Sequence, residues 1–161
     1  MILRDEQPAD GDVIREVVQA AFGRAAEAQL VDRLRGDGDA VVSLVADEAG
    51  AIVGHVLLSG LRAPFKALGL APVSVRPERQ GAGVGSALVR EALARARTDG
   101  WDAVFVLGDP AYYRRFGFDP EAAQGFGSPY AGPHLMALPL KGRLPVTQGR
   151  VDYAPAFAAL G

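Results

Sequence analysis

The chain has 161 residues, of which 49% are hydrophobic and 22% are charged, and its net charge is −2. This composition is typical of a globular protein and excludes a disordered chain. Because there is no basic excess, the sequence gives no signal for a nucleic-acid partner or an anionic membrane surface. The chain has two histidines and no cysteine, so we expect no disulfide, no cysteine nucleophile and no metal site.

The sequence shows no repeat, low-complexity tract or long linker, so residues 1–161 are predicted to form one domain. The first residues lack a basic stretch followed by an apolar run, and no run of about 18 apolar residues occurs anywhere. We therefore expect a cytoplasmic protein with no membrane partner.

The first half of the chain predicts two helices followed by strands. Ile2–Arg4 is a short strand, and apolar residues at helical spacing then predict a helix that ends at Gly23. A second helix is predicted over Ala25–Arg35. Val41–Asp47 and Ala51–Ser59 are rich in β-branched residues and predict a hairpin.

The second half of the chain predicts alternating strands and helices. These are, in order, strand Leu68–Val75, a helix that ends at Thr98, strand Ala103–Leu107, a short helix over Ala111–Phe116 and strand His134–Leu140. Residues 119–133 are predicted as a loop, and residues 141–161 receive no assignment. This order of elements predicts an α/β sandwich on a central mixed sheet.

A glycine-rich loop joins strand Leu68–Val75 to the following helix, with the sequence Gln80-Gly81-Ala82-Gly83-Val84-Gly85-Ser86. Glycine has no Cβ, so the backbone N–H groups here can approach a ligand closely. The first N–H groups of a helix have no partner within it, and its dipole adds partial positive charge. The loop therefore predicts a phosphate or pyrophosphate site, although a ligand-free turn would have the same pattern.

Two well-known phosphate loops do not match this segment. A Walker A loop requires a Gly-Lys-Ser/Thr sequence at its end, and the loop contains no lysine. The dinucleotide fingerprint requires Gly-x-Gly-x-x-Gly, whereas Gly81, Gly83 and Gly85 are spaced by two.

Two paired motifs resemble the GNAT superfamily of N-acetyltransferases. Gln80-x-x-Gly83-x-Gly85 after a Val-x-Val strand is similar to the coenzyme A loop of that superfamily. The run Tyr113-Arg114-Arg115-Phe116-Gly117-Phe118, after the next strand, is similar to its Tyr-x-x-x-Gly-Phe segment. Longer strings, including Gly54-His55-Val56, resemble a bacterial subgroup of mostly uncharacterised acetyltransferases. The resemblance extends over nearly the whole chain.

The resemblance implies a GNAT-like central mixed sheet flanked by helices, with two strands splayed at the acyl-CoA site. It implies acetyl-CoA as co-substrate and no metal. In this superfamily the pantetheine arm pairs with the strand before the loop, which assigns backbone contacts to Val73, Ser74 and Val75, although Val73 and Val75 also suit core packing. The residues that would hold the pyrophosphate are Gln80, Gly81, Ala82, Gly83, Val84, Gly85 and Ser86. The basic residues Arg62, Lys66, Arg76 and Arg79 would assist with the phosphates, or else form an exposed charged edge.

Tyr113 matches the tyrosine that acts as general acid toward the leaving thiolate in many members of the superfamily. The neighbouring Tyr112 is a competitor for this role, and both tyrosines could instead be packing residues. The acceptor amine must lose a proton before it attacks, so a base or a chain of waters is expected. The candidate bases are His55, Glu27 and Asp109, whose alternative roles are a buried core histidine, a solvated helix residue and a turn former.

The resemblance implies direct acetyl transfer to an amine in a ternary complex. A non-enzymatic coenzyme A sensor of the same fold and a domain that binds another nucleotide are the alternatives. The acceptor, a small molecule or a protein amine, is not identified by the sequence. Since many members of the superfamily dimerise, a homodimer is compatible with the resemblance.

Overall fold

The computed structural model describes residues 1–160 and has a six-stranded mixed sheet at its centre. The strands of the described chain are β1 (Ile2–Asp5), β2 (Ala40–Glu48), β3 (Ala51–Leu61), β4 (Ala67–Val75), β5 (Ala103–Leu107), β6 (Phe126–Gly127), β7 (Leu135–Pro139) and β8 (Gly149–Arg150). The central sheet has the order β1-β2-β3-β4-β5-β7, and β6 pairs with β8 separately. Only the β4–β5 pair of the central sheet is parallel. The predicted GNAT-like mixed sheet is confirmed.

Helices cover both faces of this sheet. They are α1 (Gly11–Phe22), α2 (Ala26–Gly36), α3 (Val84–Thr98), α4 (Pro110–Tyr113) and α5 (Pro120–Ala123). Successive strand residues point to opposite faces, so Leu44 and Val56 pack against α3, whereas Val45 packs with α1 and Leu57 with α2. None of the helices in the described chain has the length and apolarity needed to cross a membrane.

Two stretches differ from the sequence prediction. Residues 119–133, predicted as a loop, contain α5 and β6. Helix α5 begins after Asp119 because the Asp119 carboxylate accepts a hydrogen bond from the Glu121 N–H at 2.9 Å and caps the helix. The unassigned residues 141–160 contain β8 and a 3-10 helix at Pro155–Leu160. Phe157 of that 3-10 helix packs in one cluster with residues of α2 and β3.

Strands β4 and β5 pair only at their beginnings. The last pair is Gly69 with Phe105, and from residue 70 onward β4 has β3 as its only strand partner among residues 1–160. A bulge in β4 accompanies this divergence, because Val56 pairs with Val73 whereas Leu58 pairs with Leu70. The splay implied by the resemblance is therefore present, and it leaves one backbone edge of β4 unpaired.

Candidate active site

The glycine-rich loop ends in an uncapped helix. Gly81 and Gly83 have left-handed φ values of 80° and 86°, and α3 begins directly after them at Val84. The first helical hydrogen bond runs from the Ala87 N–H to the Gly83 carbonyl at 3.0 Å, so the N–H groups of residues 84–86 precede it. Within the described chain, no side chain caps this end of α3. The arrangement suits an anion.

The space in front of this loop is open. A cavity of about 430 Å³ lies there, and a Cβ added at Gly81 or Gly83 would meet no atom within 4 Å. Gln80 Nε2 donates a hydrogen bond to the Val75 carbonyl at 3.0 Å, which ties the loop to the end of β4. Ser86 Oγ lies 3.0 Å from the Tyr112 hydroxyl and fixes the opposite wall. The loop, which is held through Val75 at one end and Tyr112 at the other, thus forms a preformed binding site.

Two arginines line the loop cavity. Arg79 comes from the turn before the loop and pairs with Glu48. Arg115 comes from the segment after α4, where its guanidinium lies 4.4 Å from the ring centre of Tyr112 and its Nε donates to the Tyr112 carbonyl at 2.9 Å. Sequence reasoning missed Arg115 in this role, although the residue lies inside the motif that pointed to Tyr113.

The other basic residues named from the sequence do not line this cavity. Arg62 follows β3 and pairs through its backbone with Asp152. The Lys66 ammonium lies 5.1 Å from the ring centre of Trp101. The Arg76 guanidinium donates to the Ile52 carbonyl at 2.9 Å. Their assistance with the phosphates therefore stays a prediction, and the structure gives the side chains of Lys66 and Arg76 other partners.

Val73, Ser74 and Val75 occupy the part of β4 that has separated from β5. The two valine side chains pack against the core under α3, and the Ser74 side chain is buried. Their backbone edge toward β5 has no strand partner in the described chain. Core packing by the side chains and an open backbone edge therefore coexist, as expected for a strand that can accept an added partner.

A second cavity, the splay cavity, lies where β4 and β5 diverge. Its volume is about 290 Å³. Leu70 and Ala71 of β4 and Leu107 of β5 contribute the strand side of its wall, and Arg24 approaches from the turn between α1 and α2. The rest of the wall comes from the late part of the chain, through Tyr130, Tyr153, Phe157 and Leu160. Tyr153, Phe157 and Leu160 belong to the tail that received no assignment from the sequence.

The adjacent tyrosines 112 and 113 face different surroundings. Tyr112 lines the loop cavity, as described above. The Tyr113 ring instead lies against Gly108, where an added Cβ would come within 2.5 Å of it, and edge-on to Phe118 at 5.9 Å. Burial, with a smaller effect of Tyr112, raises the pKa of Tyr113 to about 12, so this phenol stays protonated. Tyr113 also helps to raise the pKa of Tyr153.

The structure argues against His55 as a base. Its side chain is completely buried on β3, and its Nε2 lies 2.8 Å from Ser43 Oγ. Burial, assisted by the positive charge of Arg35, lowers the pKa of His55 to about 3. A neutral imidazole that solvent cannot reach is a core residue, because it cannot accept a proton from a bound amine.

Glu27 and Asp109 are also committed to structural contacts. The Glu27 carboxylate is buried and paired with Arg24, whose hydrogen bonds hold the pKa of Glu27 below its usual value. The Asp109 carboxylate accepts a hydrogen bond from the Ala111 N–H at 2.9 Å and caps α4. Glu27 lies near the splay cavity through Arg24, but this pairing makes it a weaker base than a free carboxylate.

Comparisons with known proteins agree with this geometry. The family model described as an acetyltransferase (GNAT) domain matches residues 39–120, which include the glycine-rich loop, the splayed strands and Tyr113. An uncharacterized N-acetyltransferase of Escherichia coli K12, YjhQ, is 43% identical over 135 residues, which cover 78% of this chain and 74% of the relative.

Two solved structures resemble the whole fold. The GNAT family N-acetyltransferase YhbS from Escherichia coli, in complex with CoA, superposes with a TM-score of 0.92 at 32% identity and covers 99% of this chain and 93% of its own. A GNAT family acetyltransferase from Brucella melitensis, in complex with acetyl-CoA, gives 0.84 at 37% identity and covers 97% of each chain. The present chain therefore belongs to the GNAT family, and it is an N-acetyltransferase.

Proposed function

We propose that this enzyme transfers an acetyl group directly from acetyl-CoA to an amine bound in the splay cavity. The observation that carries the proposal is the continuity of three features: the uncapped start of α3, the unpaired edge of β4 and the cavity where β4 leaves β5. Such a path suits a long donor with an anionic end and a reactive end. The complexes of the two relatives with CoA and acetyl-CoA support the same reading.

The residues present fit acetyl-CoA along this path. The N–H groups of residues 84–86, with Gln80, Gly81, Ala82 and Gly83 of the loop, would hold the diphosphate, and Arg79 and Arg115 would add positive charge. The backbone of Val73, Ser74 and Val75 would pair with the pantetheine amides as an added strand. A backbone N–H of this segment, such as that of Val75, would polarise the thioester carbonyl.

Acetyl-CoA supplies a thioester whose carbonyl carbon forms a bond to the amine nitrogen while its bond to sulfur breaks. Tyr113 would act on the departing sulfur. A phenol with a pKa of about 12 is a far weaker acid than a thiol near 8.5, so complete proton transfer is uphill. We therefore assign to Tyr113 a hydrogen bond donated to the developing thiolate, which lowers the barrier without requiring its own ionisation.

No side chain named from the sequence suits the role of base, so the amine would react as the free base. His55 is enclosed, and the carboxylates of Glu27 and Asp109 are occupied by Arg24 and by the cap of α4. The excess proton of the attacking nitrogen would pass to water. The pH dependence of the rate would then belong to the acceptor rather than to the enzyme.

Paired variants at Gly83 test the placement of the diphosphate. Gly83→Glu and Gly83→Gln introduce side chains of nearly equal size at the same left-handed position, so both carry the same backbone strain. Only the glutamate adds a negative charge at the start of α3. Titration calorimetry with acetyl-CoA should give a dissociation constant at least about tenfold higher for Gly83→Glu than for Gly83→Gln.

Thiol release across a panel of amines then links binding to turnover. The wild-type enzyme should release CoA only when an acceptor is present, and Gly83→Glu should release it much more slowly. Equal affinity of the two Gly83 variants for acetyl-CoA, or full activity of Gly83→Glu, would contradict this placement of the donor.

A further inference from the structure

Three aromatic rings line the splay cavity together with aliphatic side chains and Arg24. The rings of Tyr130 and Tyr153 meet at 88° with centres 5.5 Å apart, and those of Tyr153 and Phe157 meet at 70° with centres 5.1 Å apart. Leu70 and Leu107 complete the apolar surface from the strand side. Edge-to-face rings are preferred packing partners and resist rearrangement, so this wall favours a compact, flat, apolar ligand.

Tyr153 lines this wall and carries a buried hydroxyl. Its ring packs so closely on Gly69 that an added Cβ there would lie 2.7 Å from Tyr153 Cε2. Gly69 is the last residue of β4 that pairs with β5, so Tyr153 is held at the base of the splay. The hydroxyl is buried and has no hydrogen-bond partner among residues 1–160. Because an unpaired buried hydroxyl is unfavourable, it is a natural partner for a polar group of a ligand.

The protonation of this hydroxyl is fixed by its surroundings. Burial, together with Tyr130 and Tyr113, raises the pKa of Tyr153. The hydroxyl is therefore neutral and can both donate and accept a hydrogen bond. A ligand hydroxyl satisfies both of these capacities, whereas an ammonium group can only donate.

The charged residues near the splay cavity neutralise each other. Arg24, which lines the cavity, is held by two hydrogen bonds to Glu27, and this carboxylate is ionised at neutral pH because Arg24 lowers its pKa. A ligand carboxylate would have to compete with Glu27 for the guanidinium. A ligand with several ammonium groups would find no free carboxylate among the described residues that line the cavity.

Resting on the proposed function, we infer that the acceptor is a primary amine on a compact, flat, apolar body with a single hydroxyl, and that Tyr153 selects it by pairing with that hydroxyl. This chemistry differs from that of a polyamine, an aminoglycoside or an amino acid, all of which carry further charges. The volume of about 290 Å³ accommodates one aromatic ring with a short side chain.

The test compares tyramine and phenethylamine, which differ by one hydroxyl, with spermidine, kanamycin and L-phenylalanine as charged comparators. The steady-state kcat/KM of the wild-type enzyme should be highest for tyramine, and roughly 3- to 10-fold above that for phenethylamine. In Tyr153→Phe this ratio should fall to about one. The thermal midpoint and the dissociation constant for acetyl-CoA, measured on the same samples, check that the variant is folded.

The outcomes separate this inference from the proposed function. If acetyl-CoA binds but spermidine, kanamycin or L-phenylalanine is the best acceptor, or both tyramine and phenethylamine are inert, the inference about the acceptor is overturned and the donor site stands. If the preference for tyramine survives in Tyr153→Phe, the role of Tyr153 is overturned. If acetyl-CoA does not bind at all, the proposed function fails together with the inference.

Discussion

Gly54 on β3 sets how closely α3 approaches the sheet. A Cβ at this position would lie 2.9 Å from Leu88 Cδ1, 3.0 Å from Val84 Cγ1 and 3.1 Å from the Ser74 carbonyl oxygen. The two side chains belong to α3, and Val84 is its first residue. The carbonyl belongs to the backbone of β4 and cannot rotate away. Gly54→Ala must therefore move α3 outward, displace β4, or both.

The expected cost follows from overpacking of a closed core. Inserting a methyl group into such a site typically destabilises a protein by about 1–3 kcal/mol. For a chain of this length, each kcal/mol lowers the thermal midpoint by about 2–4 °C. Because Val84 and Ser74 flank the proposed donor path, the same displacement should raise the dissociation constant for acetyl-CoA, which is measured by calorimetry.

Gly60→Ala is the matched control. Gly60 lies on the same strand, has no left-handed φ, and an added Cβ would meet no atom within 4 Å. Its replacement should leave stability unchanged or raise it slightly, since alanine restricts the unfolded chain. If Gly54→Ala melts at the same temperature as Gly60→Ala and binds acetyl-CoA equally well, the close approach of α3 is not what positions the loop.

Three further predictions concern the chemistry. Tyr113→Phe should lower kcat about 10²-fold with an unchanged dissociation constant for acetyl-CoA. Tyr112→Phe should mainly weaken the binding of acetyl-CoA, because it loses the contact with Ser86. The reverse pattern in stopped-flow and calorimetric data would exchange the two roles. The kcat/KM should rise with pH with a slope of about one and level off at the pKa of the acceptor; across amines of different pKa, a fixed midpoint would instead reveal a base on the enzyme. His55 has a pKa of about 3 in the folded state and 6.5 as its ordinary value, so the unfolded chain binds more protons than the folded chain between these two pH values. The stability that the neutral His55 contributes is therefore complete above pH 6.5 and is lost as the pH falls toward 3. Urea titrations should show a loss of up to about 1.4 kcal/mol per pH unit below pH 6 that is smaller in His55→Gln, and identical acid slopes would refute the buried neutral state.

Much of the donor side of the site could be predicted from sequence because its signals are local. The glycine loop, its preceding strand and its helix lie in one short run, and this combination predicts an anion site, although a ligand-free turn would have the same glycine pattern. Tyr113 could be chosen over Tyr112 only through the family pattern, because the two residues are adjacent and of the same type. Burial and packing on Gly108 are what distinguish it in the structure.

The contribution of the tail to the acceptor side could not be predicted, because Tyr153 and Phe157 meet the other residues of the splay cavity only in the folded chain. Tyr153 packs on Gly69, which lies far earlier in the sequence. Phe157 lies in a Gly- and Pro-containing tail with no clear periodicity. His55 was a reasonable candidate base from its residue type alone. Its enclosure between the sheet and the helices, and the resulting fall of its pKa, depend on tertiary packing that a strand pattern does not report.

The position of the donor is the central claim, and a crystal structure with acetyl-CoA tests it most directly. We expect the diphosphate on the N–H groups of residues 84–86, the pantetheine arm along Val73–Val75 and the acetyl group at the splay cavity near Tyr113. A donor found elsewhere on the protein, or a loop closed by its own side chains with β4 still unpaired, would contradict the account.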